Sequence, residues 1–201
     1  MTKIKIAYAA LVLGVTAGLA VYFYYIVQWL PYPYQIDFGE GFTVYLGKLF
    51  SEGVFRPELW DINQEPYITL MYGPVYPIFE AILIKIFGVS LTIGRALSVG
   101  STLISCGVIY FIVREFTDKK WLAFIVAFLP LANPVLRDWS LMARVDMMGV
   151  MFSLLGIYFF TKGNRGDSFF NTWNILSISA LIYEANIYSS FYSHFYLSIP
   201  L

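Results

Sequence analysis

The chain has 201 residues, of which 59% are hydrophobic, 19% aromatic and only 13% charged, with a mean hydropathy of +0.67. A soluble domain carries roughly 25% charged residues, so this composition excludes an ordinary water-soluble globule. The net charge is zero, from 13 basic and 13 acidic side chains, which leaves no basic excess for a nucleic-acid partner.

The single cysteine, Cys106, excludes an internal disulfide framework and a cysteine-built metal cluster. It stands in an apolar run and reads as a buried, inert thiol. No internal repeat or low-complexity linker divides the sequence, so residues 1–201 form one membrane domain of all-α class, a polytopic helix bundle.

Ile6 to Leu30 is nearly all apolar, and no charge occurs between Lys5 and Asp37. At ~1.5 Å per residue this run is long enough to cross a ~30 Å hydrocarbon core with tilt. A cleaved signal peptide has a shorter apolar core, and here Trp29, Tyr32 and Tyr34 close the run as interfacial aromatics. It is an anchor. Further apolar runs follow at Ala96 to Val113, Trp121 to Leu136 and about Leu141 to Phe160, and a fifth begins near Phe169. The expectation is therefore about five transmembrane helices.

Pro74 to Phe87 is short for a span and contains Glu80 and Lys85. If it lies flat on the outer surface, the basic segments Arg114 to Lys120 and Lys162 to Arg165 join Lys3 and Lys5 in the cytoplasm, as the positive-inside rule prefers. If it crosses, both segments are outside. It is read as an interfacial helix, which makes residues 37–92 one long outer loop, with Glu58 outside and Lys119 and Lys162 inside. A second short helix is expected over Phe38 to Phe50, where Phe42, Tyr45, Leu46, Leu49 and Phe50 form an apolar stripe ending at Gly53. Such a loop either covers the bundle or carries a site.

Asp37 and Glu40 follow the first span at headgroup height, three residues apart and on one face of a helix. A carboxylate there can serve as a general base. Equally, Asp37 can be the N-cap of the following helix. The uncharged run Met147 to Thr161 is too short to cross, so its helix is expected to begin earlier, carrying Arg144 and Asp146 below the outer surface. Ionisable groups at that depth mark a protein-lined site, or an ion pair that locks helices together.

The order of motifs resembles the GT-C glycosyltransferases, the multispanning class of protein O-mannosyltransferases and aminoarabinose transferases. The matching pieces begin with Asp37-Phe-Gly-Glu40-Gly and Gly47-Lys-Leu-Phe-Ser-Glu-Gly53. They continue with Tyr72-Gly-Pro-Val-Tyr-Pro77, Phe87-Gly88, Arg95-Ala-Leu-Ser98 and Arg144-Val-Asp146. They cover roughly residues 1–162, and Tyr-Gly-Pro stands where Tyr-Pro-Pro is more usual. In that class the first outer loop holds two juxtamembrane helices, in agreement with the topology argument.

The resemblance implies transfer of a sugar from a polyprenyl-phosphate donor to an acceptor at the outer membrane face. By motif, Asp37 is the base, Glu40 and Asp146 are further acidic residues of the cavity, and Arg144 contacts the donor phosphate. Lys85 and Arg95 are further outer-face cations without an assigned role. The partners implied are the lipid-linked sugar and membrane lipids. No metal ligands are assigned, although some members of the class use a divalent metal.

Members of the class continue with more spans, whereas this sequence ends in a Tyr/Ser-rich tail, Tyr183 to Tyr196, with Glu184 and the single histidine, His194. The expectation is an N-terminal portion of such an enzyme, inactive by itself. The competing reading is a non-enzymatic membrane protein, whether a structural or transport subunit or an inactive remnant, in which the charges only hold helices together.

Overall fold

The computed structural model describes residues 2–54 and 73–163, and among them every regular element is a helix. The expected fifth span, the tail with His194 and Glu184, and Tyr72 of the Tyr-Gly-Pro motif lie outside the described residues.

The apolar anchor forms α1 (Thr2–Trp29). After a short irregular stretch, α2 (Phe38–Ser51) begins at Asp37, whose side chain accepts a hydrogen bond from the Gly39 amide, and it closes at Gly53 in the left-handed region (φ 85°). The second short helix is α3 (Val75–Phe87), again stopped by a left-handed glycine, Gly88 (φ 87°). With 13 residues it is only about 20 Å long and cannot cross a bilayer. Both helices expected in the outer loop are present, and they pack on each other.

The Ala96 to Val113 run lies within α4 (Leu91–Phe116), capped by Ser90, whose Oγ accepts from the Thr92 amide. α4 is the central element. It packs against α7 along its length and also touches α2, α3, α5 and α6. Two helices, α1 from Tyr8 and α4, are long and apolar enough to cross a membrane, which makes this an integral membrane protein.

Two expectations need correction. The run Trp121 to Leu136 is not one straight helix. It divides into α5 (Lys120–Phe128), a 3-10 turn (Leu129–Ala132) and α6 (Pro134–Ser140), bent by 79°. Pro134 has no amide to continue the helix and clashes with the turn before it. Asn133 turns extended and caps α6 through its side chain, accepting from the amides of Val135 and Leu136. Counted as one broken span, this pair brings the candidate spans among the described residues to three, and the fifth expected crossing lies outside them.

The second correction concerns the run Leu141 to Phe160. Its helix, α7 (Asp146–Gly163), begins at Asp146 rather than before it. Residues 141–145 are a loop because their backbone groups are engaged elsewhere. The Ala143 amide donates to Glu40, its carbonyl accepts from Thr43, and Ser98 Oγ both donates to the Arg144 carbonyl and accepts from the Arg144 amide. An earlier helix start would break all four bonds. Arg144 therefore stands in a loop, and Asp146 in the first turn of α7.

The core beneath is apolar. Tyr22, Val99, Cys106, Leu131 and Leu141 pack together, so the cysteine is buried as expected. A second cluster joins Tyr76 of α3 to Met148 and Met151 of α7. α1 lies close on the 3-10 turn because Gly18 has no side chain: a Cβ there would stand 2.7 Å from Ala132 Cβ. Gly14, one turn away on α1, faces open space. We expect Gly18→Val to cost about 1–3 kcal/mol through overpacking and to lower the midpoint of thermal aggregation in detergent, with Gly14→Val unchanged. Equal behaviour of the two variants would mean that α1 is not seated on the turn.

Candidate active site

Four elements meet where α1 ends and α2 and α4 begin. At their centre Arg95, in the first turns of α4, is fully buried and uses all five of its guanidinium N–H groups. Nε and Nη2 donate to the two carboxylate oxygens of Glu40, each at 2.8 Å. Nη1 donates to the carbonyls of Trp29 (2.8 Å) and Tyr32 (2.6 Å), and Nη2 to that of Tyr34 (2.7 Å). A planar guanidinium with five donors suits this task, since it can bond a carboxylate bidentately while also closing carbonyls at a helix C-terminus.

Glu40 is consumed to the same degree. Its Oε1 accepts from Arg95 and the Ala143 amide (2.9 Å), and its Oε2 from Arg95 and the Ile36 amide (2.7 Å). A carboxylate has about four acceptor sites, and here four donors meet them with no exposure to solvent. Burial pushes the carboxyl up, but the Arg95 guanidinium and the Ile36 and Ala143 amides outweigh it and hold Glu40 below its ordinary value. Glu40 is thereby a tie between α2, α4 and the loop before α7. It has no lone pair free for an acceptor proton.

That loop delivers Arg144 to a second, more open group. Arg144 Nη1 donates to Asp37 Oδ2 (2.8 Å) and Nε to Asp146 Oδ2 (2.9 Å). Its guanidinium also lies over the Trp139 ring of α6, 4.1 Å from the centroid. The three side chains of this group are partly exposed, Asp37 at 22% and Asp146 at 35%, in contrast to the Arg95–Glu40 pair.

Asp37 is also the N-cap of α2: Oδ2 takes the Gly39 amide at 3.0 Å as well as Arg144. One oxygen thus serves as helix cap and ion-pair partner at once. The other, Oδ1, takes no donor from the described residues and is not a buried atom. Gly39 leaves room for the arrangement, since a Cβ there would stand 2.9 Å from Asp37 Oδ2.

The structure therefore brings Asp37, Arg144 and Asp146 together, with Glu40 supporting them from behind. Lys85 is exposed on α3 and forms no ion pair among the described residues. Among the described residues, no three His, Cys, Asp or Glu side chains are grouped to hold a metal ion. Sequence reasoning left Arg95 without a role and did not single out Trp139. The partners of Arg95 lie 55 to 66 positions away along the chain, beyond the reach of any local pattern. The one available signal was an arginine set inside the start of an apolar helix, where an unpaired charge is too costly to stand alone.

A family model described as dolichyl-phosphate-mannose-protein mannosyltransferase matches residues 71–188, more than half of the chain. The matched stretch contains Arg95, Arg144 and Asp146. Asp37 and Glu40 lie before it, joined to it by the two ion pairs. No curated protein and no solved structure matches.

Removing Arg95 should leave Glu40 as an unpaired buried charge. We expect Arg95→Met to cost about 3–5 kcal/mol, with Glu40→Leu in the same chain restoring much of it. The depressed Glu40 carboxyl contributes stability above its ordinary value of 4.5, and that contribution is lost as pH falls through the lower folded value. Melting temperatures of the single and double variants across that window check both points, and an Arg95→Met protein as stable as the parent would refute them.

Proposed function

We propose that this chain, which belongs to the dolichyl-phosphate-mannose-protein mannosyltransferase family, carries the acceptor-activating part of a membrane sugar transferase working at the outer face. The observation that supports this most directly is the open Oδ1 of Asp37 beside Arg144. The donor is a sugar on a polyprenyl phosphate, and the acceptor presents a hydroxyl.

In the proposed reaction the acceptor oxygen attacks the anomeric carbon while its proton passes to Asp37 Oδ1. The bond from that carbon to the phosphate oxygen breaks, and the lipid phosphate leaves with the electron pair. Asp37 suits this because its Oδ2 is already fixed by a cap and an ion pair, which sets the direction of Oδ1 without using it. Arg144 is the nearest cation, and a guanidinium fork matches phosphate oxygens. Asp146 and the Trp139 ring hold its plane, and Glu40 positions the loop through the Ala143 amide.

The same ion pairs support a second reading, in which Arg144 only locks α2 to α7. The two readings separate in the Asn variants. Asp37→Asn keeps the cap oxygen but cannot take a proton, so transfer in membranes of cells expressing the protein should fall ~10²–10⁴-fold with little loss of folded protein. Near-normal turnover would leave Asp37 as a cap and nothing more. Under the lock reading, Asp146→Asn should reduce folded protein rather than rate.

An outer site also requires the N-terminus and the α4–α5 turn to be cytoplasmic. With Cys106 replaced, a cysteine at position 52 should react with an impermeant reagent in intact cells, and one at 119 should not. The reverse pattern would invert the topology.

A further inference from the structure

The face that α3 turns inward carries Tyr76, Pro77, Ala81, Ile84 and a carboxylic acid, Glu80. Glu80 is fully buried, and neither of its oxygens has a hydrogen-bond partner among the described residues. Native interiors rarely leave such a group unpartnered, and the chemistry proposed above does not use it.

Its surroundings are shaped to hold it. A Cβ on Gly47 of α2 would stand 2.8 Å from Glu80 Cγ and Oε2, and a Cβ on Gly94 of α4 only 2.6 Å from Oε1. Two neighbouring helices thus give up side-chain space at the points where this carboxyl enters. Among the described residues, no opposite charge comes with it. From α2, Glu40 is bound to Arg95, and Lys48 is half-exposed beside Glu52 at 3.8 Å. From α4, Arg95 has spent all five N–H groups. On α3 itself Lys85 points to the surface, and Asp146 of α7 bonds Arg144. In this apolar seat, burial raises the Glu80 carboxyl to about 8, so it is uncharged at neutral pH.

α3 also reaches the site. The Tyr76 hydroxyl, one turn before Glu80, donates to the Gly94 carbonyl of α4 at 3.0 Å, one turn before Ser98. Ser98 Oγ in turn holds both the amide and the carbonyl of Arg144. The same turn of α4 thus receives α3 through Gly94 and holds Arg144 through Ser98.

We propose that Glu80 is a positioning residue whose proton keeps α3 docked: uncharged, it sits between Gly47 and Gly94, and charged, it must leave that seat and loosen the Tyr76–Gly94 bond to the turn of α4 that carries Ser98. The effect on transfer rests on the proposed function, whereas the docking itself does not. The sign follows from the raised value. The carboxyl's contribution to the docked form is complete below its ordinary 4.5 and is lost as pH rises through about 8.

The test uses the whole protein in lipid vesicles, with two readouts between about pH 6 and 9.5. One is hydrogen exchange of the α3 amides, corrected for the intrinsic pH dependence of exchange. The other is transfer of a labelled polyprenyl-phosphate sugar. In the parent protein α3 protection should fall roughly tenfold per pH unit up to about 8 and level off above it, and the transfer rate should fall over the same range. Glu80→Gln removes the titration at similar size, and Glu80→Leu does so even if the amide is poorly tolerated, so each should flatten the exchange profile. Loss of transfer at every pH with α3 protection still titrating would support the switch while refuting the donor chemistry. Parent α3 protection that stays constant to high pH, or variants that lose it in the same window, would overturn the proposal.

Discussion

The bidentate pair between Arg95 and Glu40 is the interaction on which this end of the helix bundle depends. It joins segments remote in sequence: the end of α1, the start of α2, the first turns of α4 and the loop before α7. Two opposite charges without solvent exposure are costly to desolvate, and they persist only where the remaining donors and acceptors are also met. Here five N–H groups and four carboxylate sites are all engaged. Any displacement of these segments leaves a charged group short of a partner, so their arrangement is sharply defined.

That rigidity extends to the more exposed group. Because Glu40 and Thr43 of α2 and Ser98 of α4 take up the backbone of residues 143 and 144, the chain cannot continue as helix there. Arg144 is thereby carried on a loop fixed at both sides, and it meets Asp37 at the N-terminus of α2. The two ion pairs divide the work. The buried one is saturated and sets positions, and the more exposed one leaves Asp37 Oδ1 without a donor among the described residues. A family match over residues 71–188 covers the basic half of both pairs. The acidic residues Asp37 and Glu40 come from the preceding segment, and only the folded chain unites them.

The α2–α3 pair shows how polar groups at a membrane surface can be read two ways. In the sequence Glu80 is one charge among apolar residues, and it counts chiefly against a membrane span. In the fold it faces inward, while Ile78, Phe79, Ile82, Ile86 and Phe87 face outward. The apolar outer face suits a helix lying on lipid, so the usual rule that polar residues mark the solvent side is inverted. Gly47 and Gly94 make this possible by admitting the carboxyl between helices.

The anchor, the two outer-loop helices and the central span were legible in the sequence because each rests on a local property: apolar length, a three-to-four-residue stripe, a capping side chain or a stopping glycine. Asp37 was legible as both cap and candidate base for the same reason, since one short motif carries both meanings. The fold decided what local rules cannot reach. It broke the Trp121 to Leu136 run at Asn133-Pro134, started α7 at Asp146, and turned Arg95 from an unassigned cation into the centre of the site. In each case but the proline, the physical reason is a hydrogen bond whose two ends are far apart in the chain. Apolar patterning selects helices one at a time, whereas partners for buried charges are found only after the helices have been brought together.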